Sequence, residues 1–512
     1  MRGFPVFPTS SSFLPAFSAY RADIAASLVV FLVALPLCVG VAVASGVPAE
    51  LGLITGIVGG VLVGTLPGSS LQVSGPAAGL TVLVFEAVQR YGADALGVLV
   101  LGAGAVQVAL GVLRLGRWFR AVSVAVVQGM LAGIGLVLMA GQVYVLAGAD
   151  MPAAIAGKLA GLGGLLTGAD VSAQALAVGA GTVAVLVLWP RWRRAARVLP
   201  APLVAVGLAA GATALFALPV ARVRVSGLLD AVRPPGGEDW ALFVDLGFVG
   251  TVLAFALIAS AESLFSAAAV DRMHAGRRTD YDKELIAQGA GNTVCGALGA
   301  LPMTAVIVRS AANVGAGART KASRVLHGVW LLLFVVALPG ALEVIPVAAL
   351  AGVLVHAGFK LVPLRALARL WRGHRGEAVV LVATAVTVVA TSLFEGVLAG
   401  LLLAVAKTAW DVSHVQVEVT EGDPSRARGG RLLVRVTGNA TFLRLPKLLD
   451  ALDALPADRP VELDLSGLRH TDHACAAELA GWTALREARQ AAAGGGPPGE
   501  DGQRTATLNS TT

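Results

Sequence analysis

Two ionisable residues stand well inside apolar stretches of this 512-residue chain, and they set the chemistry to expect of it. Glu262 lies in FALIASAESLFSAAAVDRM, flanked by Ser260 and Ser263, with Ser266 one turn on. A carboxylate at the centre of a bilayer costs roughly 2.5–3.5 kcal/mol even on the lenient insertion scale, so such a residue marks an ion or proton path. The competing reading is a structural carboxylate paired with an arginine or a helix end. Arg309 closes the run GALGALPMTAVIVR, and it would either add positive potential to a polar cavity or snorkel to the inner face. The chemistry implied is the binding and movement of ions, not the making of bonds. Glu86 and Lys407 fall near span ends and can snorkel, and His356, with no partner in view, reads as packing. No Asp, His and Ser residues form a catalytic set within one polar site, so no enzyme is expected. Cys38, Cys295 and Cys475 are far apart and match no metal or disulfide spacing; they are expected to be buried and reduced, with no cofactor or metal.

Two stretches must position these charges. One is LQVSGPAAGLT, residues 71–81, and the other is the Arg309 run, residues 296–309. Each is a short extended apolar segment, then a proline, then a helix-compatible run. Proline suits the first helical position, so Pro76 and Pro302 are expected to open helices inside hydrophobic spans. A helix that starts part-way across a bilayer leaves free N–H groups and the positive end of its dipole there. Lipid cannot satisfy those groups, so such breaks survive only around a polar cavity. Two of them at corresponding positions of two halves point to an anion site at the midplane of a secondary transporter. Ordinary proline kinks would be the alternative.

Composition places these stretches in a membrane protein. Of the residues, 56% are hydrophobic and 14% charged, against about 25% charged in a soluble domain. The net charge of +7 does not indicate nucleic-acid binding, because the basic residues sit in short loops between apolar spans. About fourteen spans are expected, near 24–44, 49–66, 71–88, 93–113, 120–147, 172–189, 201–218, 241–268, 283–298, 299–316, 324–339, 343–360, 377–392 and 393–410. With a cytosolic N-terminus every second loop is basic, as in Arg191 to Arg197 and Lys360 to Arg375; only 219–240 is ambiguous. The even count returns the C-terminus to the cytosol. Spans three and ten then run in opposite directions, as a seven-plus-seven inverted repeat requires.

The expected divisions are a cytosolic lead-in at 1–23, a membrane part at 24–411, a small cytosolic α/β domain at 412–490 and a disordered tail at 491–512. In the small domain HVQVEVTE, RLLVRVTG and VELDLSG read as strands, LPKLLDALDAL and DHACAAELAGWTALREARQ as helices.

The order of features resembles the SulP family of inorganic anion transporters over almost the whole chain. The residues that carry the resemblance are DIAASLVVFLVALP with Asp23 and Pro36, GVPAELGL, VSGPAAGLT, SAESLFSA and LPMTAVIVRSAANVGAGART. DLSGLRHTD resembles the signature of a STAS domain. The resemblance implies a uracil-permease-like fold with core and gate domains, a substrate anion between spans three and ten near span eight, and dimerisation. It places backbone-amide binding positions at Ala77, Ala78 and Gly79 and at Ala305, Val306 and Ile307, with Arg309 beside them. It also places the acidic coupling position at Glu262, with Ser266 at the neighbouring hydroxyl position. There are departures. Ala77 replaces a hydroxyl residue of sodium-coupled bicarbonate transporters, and Val306, Ile307 and Val308 offer no hydroxyls. Glutamate at 262 is more like the proton-coupled members. His473 and Ala474 stand where phosphorylatable STAS domains carry serines, and the final strand of that domain is missing from the pattern.

The function expected is therefore a proton- or sodium-coupled importer of sulfate or bicarbonate in the inner membrane. A nucleobase permease of the same fold and a non-transporting sensor that signals through the STAS-like part are the alternatives.

Overall fold

In a computed structural model the described residues are 13–494, except 122, 150–151, 153–154, 168–170, 193–194, 196–198, 226, 339, 422–431 and 457–458. They form two compact units, Met1–Leu401 and Leu402–Thr512.

The first unit is built almost entirely of helices: α1 (Phe13–Ala44), α2 (Ala49–Val58), α3 (Thr81–Tyr91), α4 (Ala95–Val112), α5 (Val124–Ala147), α6 (Ile155–Thr167), α7 (Ala173–Leu188), α8 (Ala201–Leu215), α9 (Leu246–Asp271) and α10 (Tyr281–Ala297). Then come α11 (Ile307–Gly315), α12 (Ala322–Ala337), α13 (Gly340–Glu343), α14 (Val347–Leu361), α15 (Leu364–Gly373), α16 (Arg375–Ala390) and α17 (Leu393–Val412), the last of which contains the boundary between the units. Among the described residues seven helical stretches are long and apolar enough to cross a membrane, and Ala49–Val63, Ala201–Leu215 and Ala322–Ala337 are shorter apolar helices. The only sheet in this unit, among the described residues, pairs two three-residue strands, β1 (Ser74–Pro76) and β2 (Met303–Ala305).

Three elements differ from the expectation. Helix α1 begins at Phe13, so part of the expected lead-in is helical, and Asp23 at its supposed end is fully buried. The Asp23 carboxylate accepts the N–H groups of Arg319 (2.7 Å) and Thr320 (3.1 Å), which ties α1 to the turn between α11 and α12. Residues 155–167, taken as outer loop, form α6. Residues 364–373, taken as inner loop, form α15, where Leu364, Leu367 and Leu370 share one face and Arg365, Arg369 and Arg372 the other. That amphipathic pattern suits an interface helix, too polar to register as a span.

Glycine sets the tightest packing. A Cβ on Gly296 of α10 would lie 2.2 Å from Leu101 N of α4, and one on Gly104 of α4 would lie 2.4 Å from Thr293 N of α10. Small residues let two membrane helices approach to backbone contact and so supply the dispersion that association in lipid depends on.

The second unit holds a three-stranded sheet of β3 (Val415–Glu421), β4 (Leu432–Ala440) and β5 (Val461–Thr471), in that order, with β3 antiparallel and β5 parallel to β4. Helices α18 (Leu445–Asp453) and α19 (His473–Gly494) complete it, and Val434, Val436, Leu448, Leu452, Cys475 and Leu479 form its core. The strands and helices fall where the alternation placed them, except that α19 runs past residue 490 to Gly494; the rest of the expected tail lies outside the described residues. Asp472 caps α19: its carboxylate accepts the N–H of Cys475 (2.9 Å) and, from the turn between β4 and α18, that of Phe442 (2.5 Å). The Cys475 N–H bond holds the Asp472 carboxyl below the usual carboxylate range. The Ser466 hydroxyl, with Arg435 beside it, brings Asp464 down to about 2.

Two measurements check this packing. Gly296→Ala forces α4 and α10 apart and lowers detergent thermostability by about 1–3 kcal/mol. Gly250→Ala, where nothing lies within 4 Å, changes little or stabilises. Asp472→Ala costs the second unit about 0.5–1 kcal/mol, read as faster amide exchange in residues 432–494. Because the folded carboxyl is the stronger acid, the difference between wild type and variant is full above the ordinary aspartate pKa of about 3.9 and fades as pH falls through the lower folded value.

Candidate functional site

The strands β1 and β2 run antiparallel, with Ser74 opposite Ala305, Gly75 opposite Thr304 and Pro76 opposite Met303. Each runs straight into a helix, β1 through a turn of 3-10 helix at Ala78–Leu80 into α3, and β2 into α11. The cap residues match in conformation: Ala77 at φ −98°, ψ 127° and Val306 at φ −104°, ψ 113°. Antiparallel strands send the two helices away from the ribbon in opposite directions, so both N-termini are left at the ribbon.

The prolines do not open these helices. Pro76 ends β1, and Pro302 precedes β2, well before the cap at Val306. Proline tolerates the rim of a strand because the missing donor is not needed there. Arg309 is consequently in the first turn of α11 and not two turns into it.

Extended backbone inside an apolar body needs a partner for every N–H and C=O. Polar side chains supply what the ribbon does not. Asn292 brackets Met303, accepting its N–H at 2.7 Å and donating to its carbonyl at 3.1 Å. Ser310 Oγ accepts the Val73 N–H at 2.9 Å, and Asn313 donates to the Leu71 carbonyl at 2.9 Å. Gln288 donates to Ser74 Oγ (2.6 Å) and to Glu284 Oε1 (2.8 Å), while Glu284 Oε2 accepts the Ser69 N–H (2.7 Å). These residues were missed in the sequence. The signal was there, because Glu284, Gln288 and Asn292 recur every fourth residue and so stripe one face of α10.

A cavity of about 130 Å³ opens beside the ribbon. All the segments singled out in the sequence reach it: Ala77 to Gly79, Ala305 to Ile307 with Arg309, and Glu262 with Ser266 on α9. Two of the expected amide donors are engaged elsewhere. Ala305 N donates to Ser263 Oγ at 3.2 Å and Val306 N to the Val73 carbonyl at 2.9 Å, because β2 must pair before its helix can start. The N–H groups without an intrahelical partner, by position, are those of Ala78 and Gly79 and those of Ile307, Val308 and Arg309.

The Arg309 side chain is fully buried, yet its Nε and Nη1 have no hydrogen-bond partner among the described residues; Nη2 donates to Cys38 Sγ at 3.3 Å. Gly75 makes room for it, since a Cβ there would lie 2.1 Å from Nη1. Gly79 does the same for Glu262, whose Oε1 would lie 2.3 Å from a Cβ at that position. Glu262 Oε2 is buried and unpartnered among the described residues. The cavity also takes in His356 and Lys360 of α14. His356 is therefore a lining residue and not packing.

Residues 20–384 match the sulfate permease family. The chain belongs to that family. Residues 425–492 match a STAS domain of the Mlab type. The family member is 28% identical over 395 residues to a putative sulfate transporter, YvdB, of Bacillus subtilis, covering 75% of this chain and 73% of the relative. It is 26% identical over 424 residues to the bicarbonate transporter BicA of Picosynechococcus, covering 78% and 72%. Its fold is similar to that of the transmembrane domain of a cyanobacterial BicA (TM-score 0.66, 22% identity, 75% of this chain and 98% of the other). It is also similar to the murine SLC26A9 anion transporter in its inward-facing state (TM-score 0.75, 17% identity, 93% and 86%). The chain is thus a multi-pass helical membrane transporter with a C-terminal STAS domain, in a family with sulfate and bicarbonate transporters.

Removing the bracket around Met303 tests the role given to the polar stripe. Asn292→Ala leaves two buried backbone groups unpaired and should cost about 2–4 kcal/mol in detergent unfolding. An unchanged melting temperature would show that the ribbon needs no such support.

Proposed function

We propose that this protein is a secondary active transporter of an inorganic anion, sulfate or bicarbonate, coupled to protons or sodium. The observation that carries the reading is the meeting of two helix N-termini and one uncompensated, buried guanidinium on a single cavity. Helix N-termini and Arg309 attract the same kind of ligand, a compact anion that accepts several hydrogen bonds. The amides of Ala78, Gly79, Ile307 and Val308 hold it from two sides, with Arg309 supplying the full charge. Ala77, Ala305 and Val306 shape the pocket.

Glu262 is the coupling group, with Ser266 beside it. A carboxylate on the same cavity repels the anion when ionised, and neutralising it with a proton or a sodium ion removes that repulsion. Anion and cation thereby move together. The matched caps at Ala77 and Val306 support an inverted repeat of seven plus seven spans, with spans three and ten broken around the site. In this arrangement both termini are cytosolic, the membrane is the inner one, the chain forms a homodimer, and the core moves against the gate to alternate access.

Uptake of labelled sulfate and of labelled bicarbonate into proteoliposomes, at two pH values with and without sodium, tests this. The wild type should accumulate one of them against its gradient. Arg309→Gln should lower uptake about 10- to 100-fold, the range for losing a charge-assisted contact. Glu262→Gln should keep downhill exchange and lose the response to an imposed proton or sodium gradient. Unchanged gradient-driven flux in that variant would remove Glu262 from coupling.

A further inference from the structure

The cavity has a second wall that the anion reading above does not use. Helix α14 presents Val353, His356, Ala357, Lys360 and Leu361 to it. Their spacing, 353, 356, 357, 360 and 361, is one continuous stripe of a helix, so Lys360, itself an exposed residue, lies on the stripe that lines the cavity, at its exposed end. The other groups on that wall, from Val127, Met130 and Leu131 of α5, Leu186 of α7 and Pro202 of α8, are apolar. Lys360 and His356, one turn apart, are the only ionisable groups it contributes among the described residues. No ion pair ties Lys360 to a carboxylate among those residues, so its charge is free to act on a solute.

We propose that Lys360, assisted by His356 as a hydrogen-bonding neighbour, forms a gate-side subsite for the same inorganic anion, on the cytosolic part of its path. The inference rests on the transport reading above. Lys360 lies in the last turn of α14, and the basic run Arg365 to Arg375 that follows marks this as the cytosolic end. An anion leaving the amides of α3 and α11 toward the cytosol must pass an apolar wall, and one cation on it offsets part of the desolvation cost. The helix termini and Arg309 sit on other elements. When the ribbon and this wall separate, the anion stays with the amides and loses Lys360. Lys360 therefore strengthens anion binding from the cytosolic side more than from the outer side, which sets a directional preference. The competing account is a lysine that merely complements the C-terminal dipole of α14.

The experiment measures KM for labelled sulfate and bicarbonate in inside-out and right-side-out vesicles that contain the full chain, at low and high ionic strength. Lys360→Gln should raise the ratio of cytosolic-side to outer-side KM about 5- to 20-fold at low salt, with a smaller change at high salt. Lys360→Arg should restore the ratio. An equal change on both sides, or none, overturns the subsite and leaves the dipole account. Sulfate and bicarbonate titrations of purified protein form a separate arm. If the wild type moves neither anion, the transport reading fails. In that event weaker binding by Lys360→Gln upholds the subsite, and wild-type binding by that variant sinks it.

Discussion

The architecture around the site depends on one constraint: a chain that leaves helical conformation inside an apolar body must find partners for its backbone. Two three-residue strands meet that demand for each other. Because they come from segments more than two hundred residues apart in sequence, the ribbon also ties two distant stretches of the membrane part together. Neither α3 nor α11 could begin where it does without the other.

Small and polar residues maintain that arrangement in different ways. Gly104 and Gly296 let α4 and α10 touch through their backbones, while the polar stripe of α10 bonds to the ribbon and, through Asn292, to Gln107 of α4. Gly75 and Gly79 act at the site itself, each leaving the volume that a charged side chain fills. A methyl group at either would meet Arg309 or Glu262, so these two glycines and the two charges form one steric unit. Packing and charge placement are thus decided by the same residues.

The apolar composition and the alternating strand pattern of the tail made a multi-pass helical part followed by a small α/β part legible in the sequence, and the two proline-containing stretches and the serine-flanked glutamate do reach one cavity. The strand pairing was not legible, because three residues carry no period and the partners are distant in the chain. The same gap explains the misplaced helix starts at Pro76 and Pro302, and with them the assignment of Ala305 and Val306 as free donors. Helix α15 was hidden by its own arginines, and α6 by its length. His356 and Lys360 looked incidental, since only the curvature of the wall around the cavity shows which face of α14 they occupy.

The neighbour that Cys38 offers to Arg309 has a consequence for the charge that the cavity carries. A thiol is a weak acceptor: it orients the guanidinium without discharging it. Were an aspartate in its place, the guanidinium would carry a built-in counter-ion and be neutralised within the protein. The soft, uncharged contact leaves the guanidinium its full charge, with Nε and Nη1 still without a hydrogen-bond partner among the described residues.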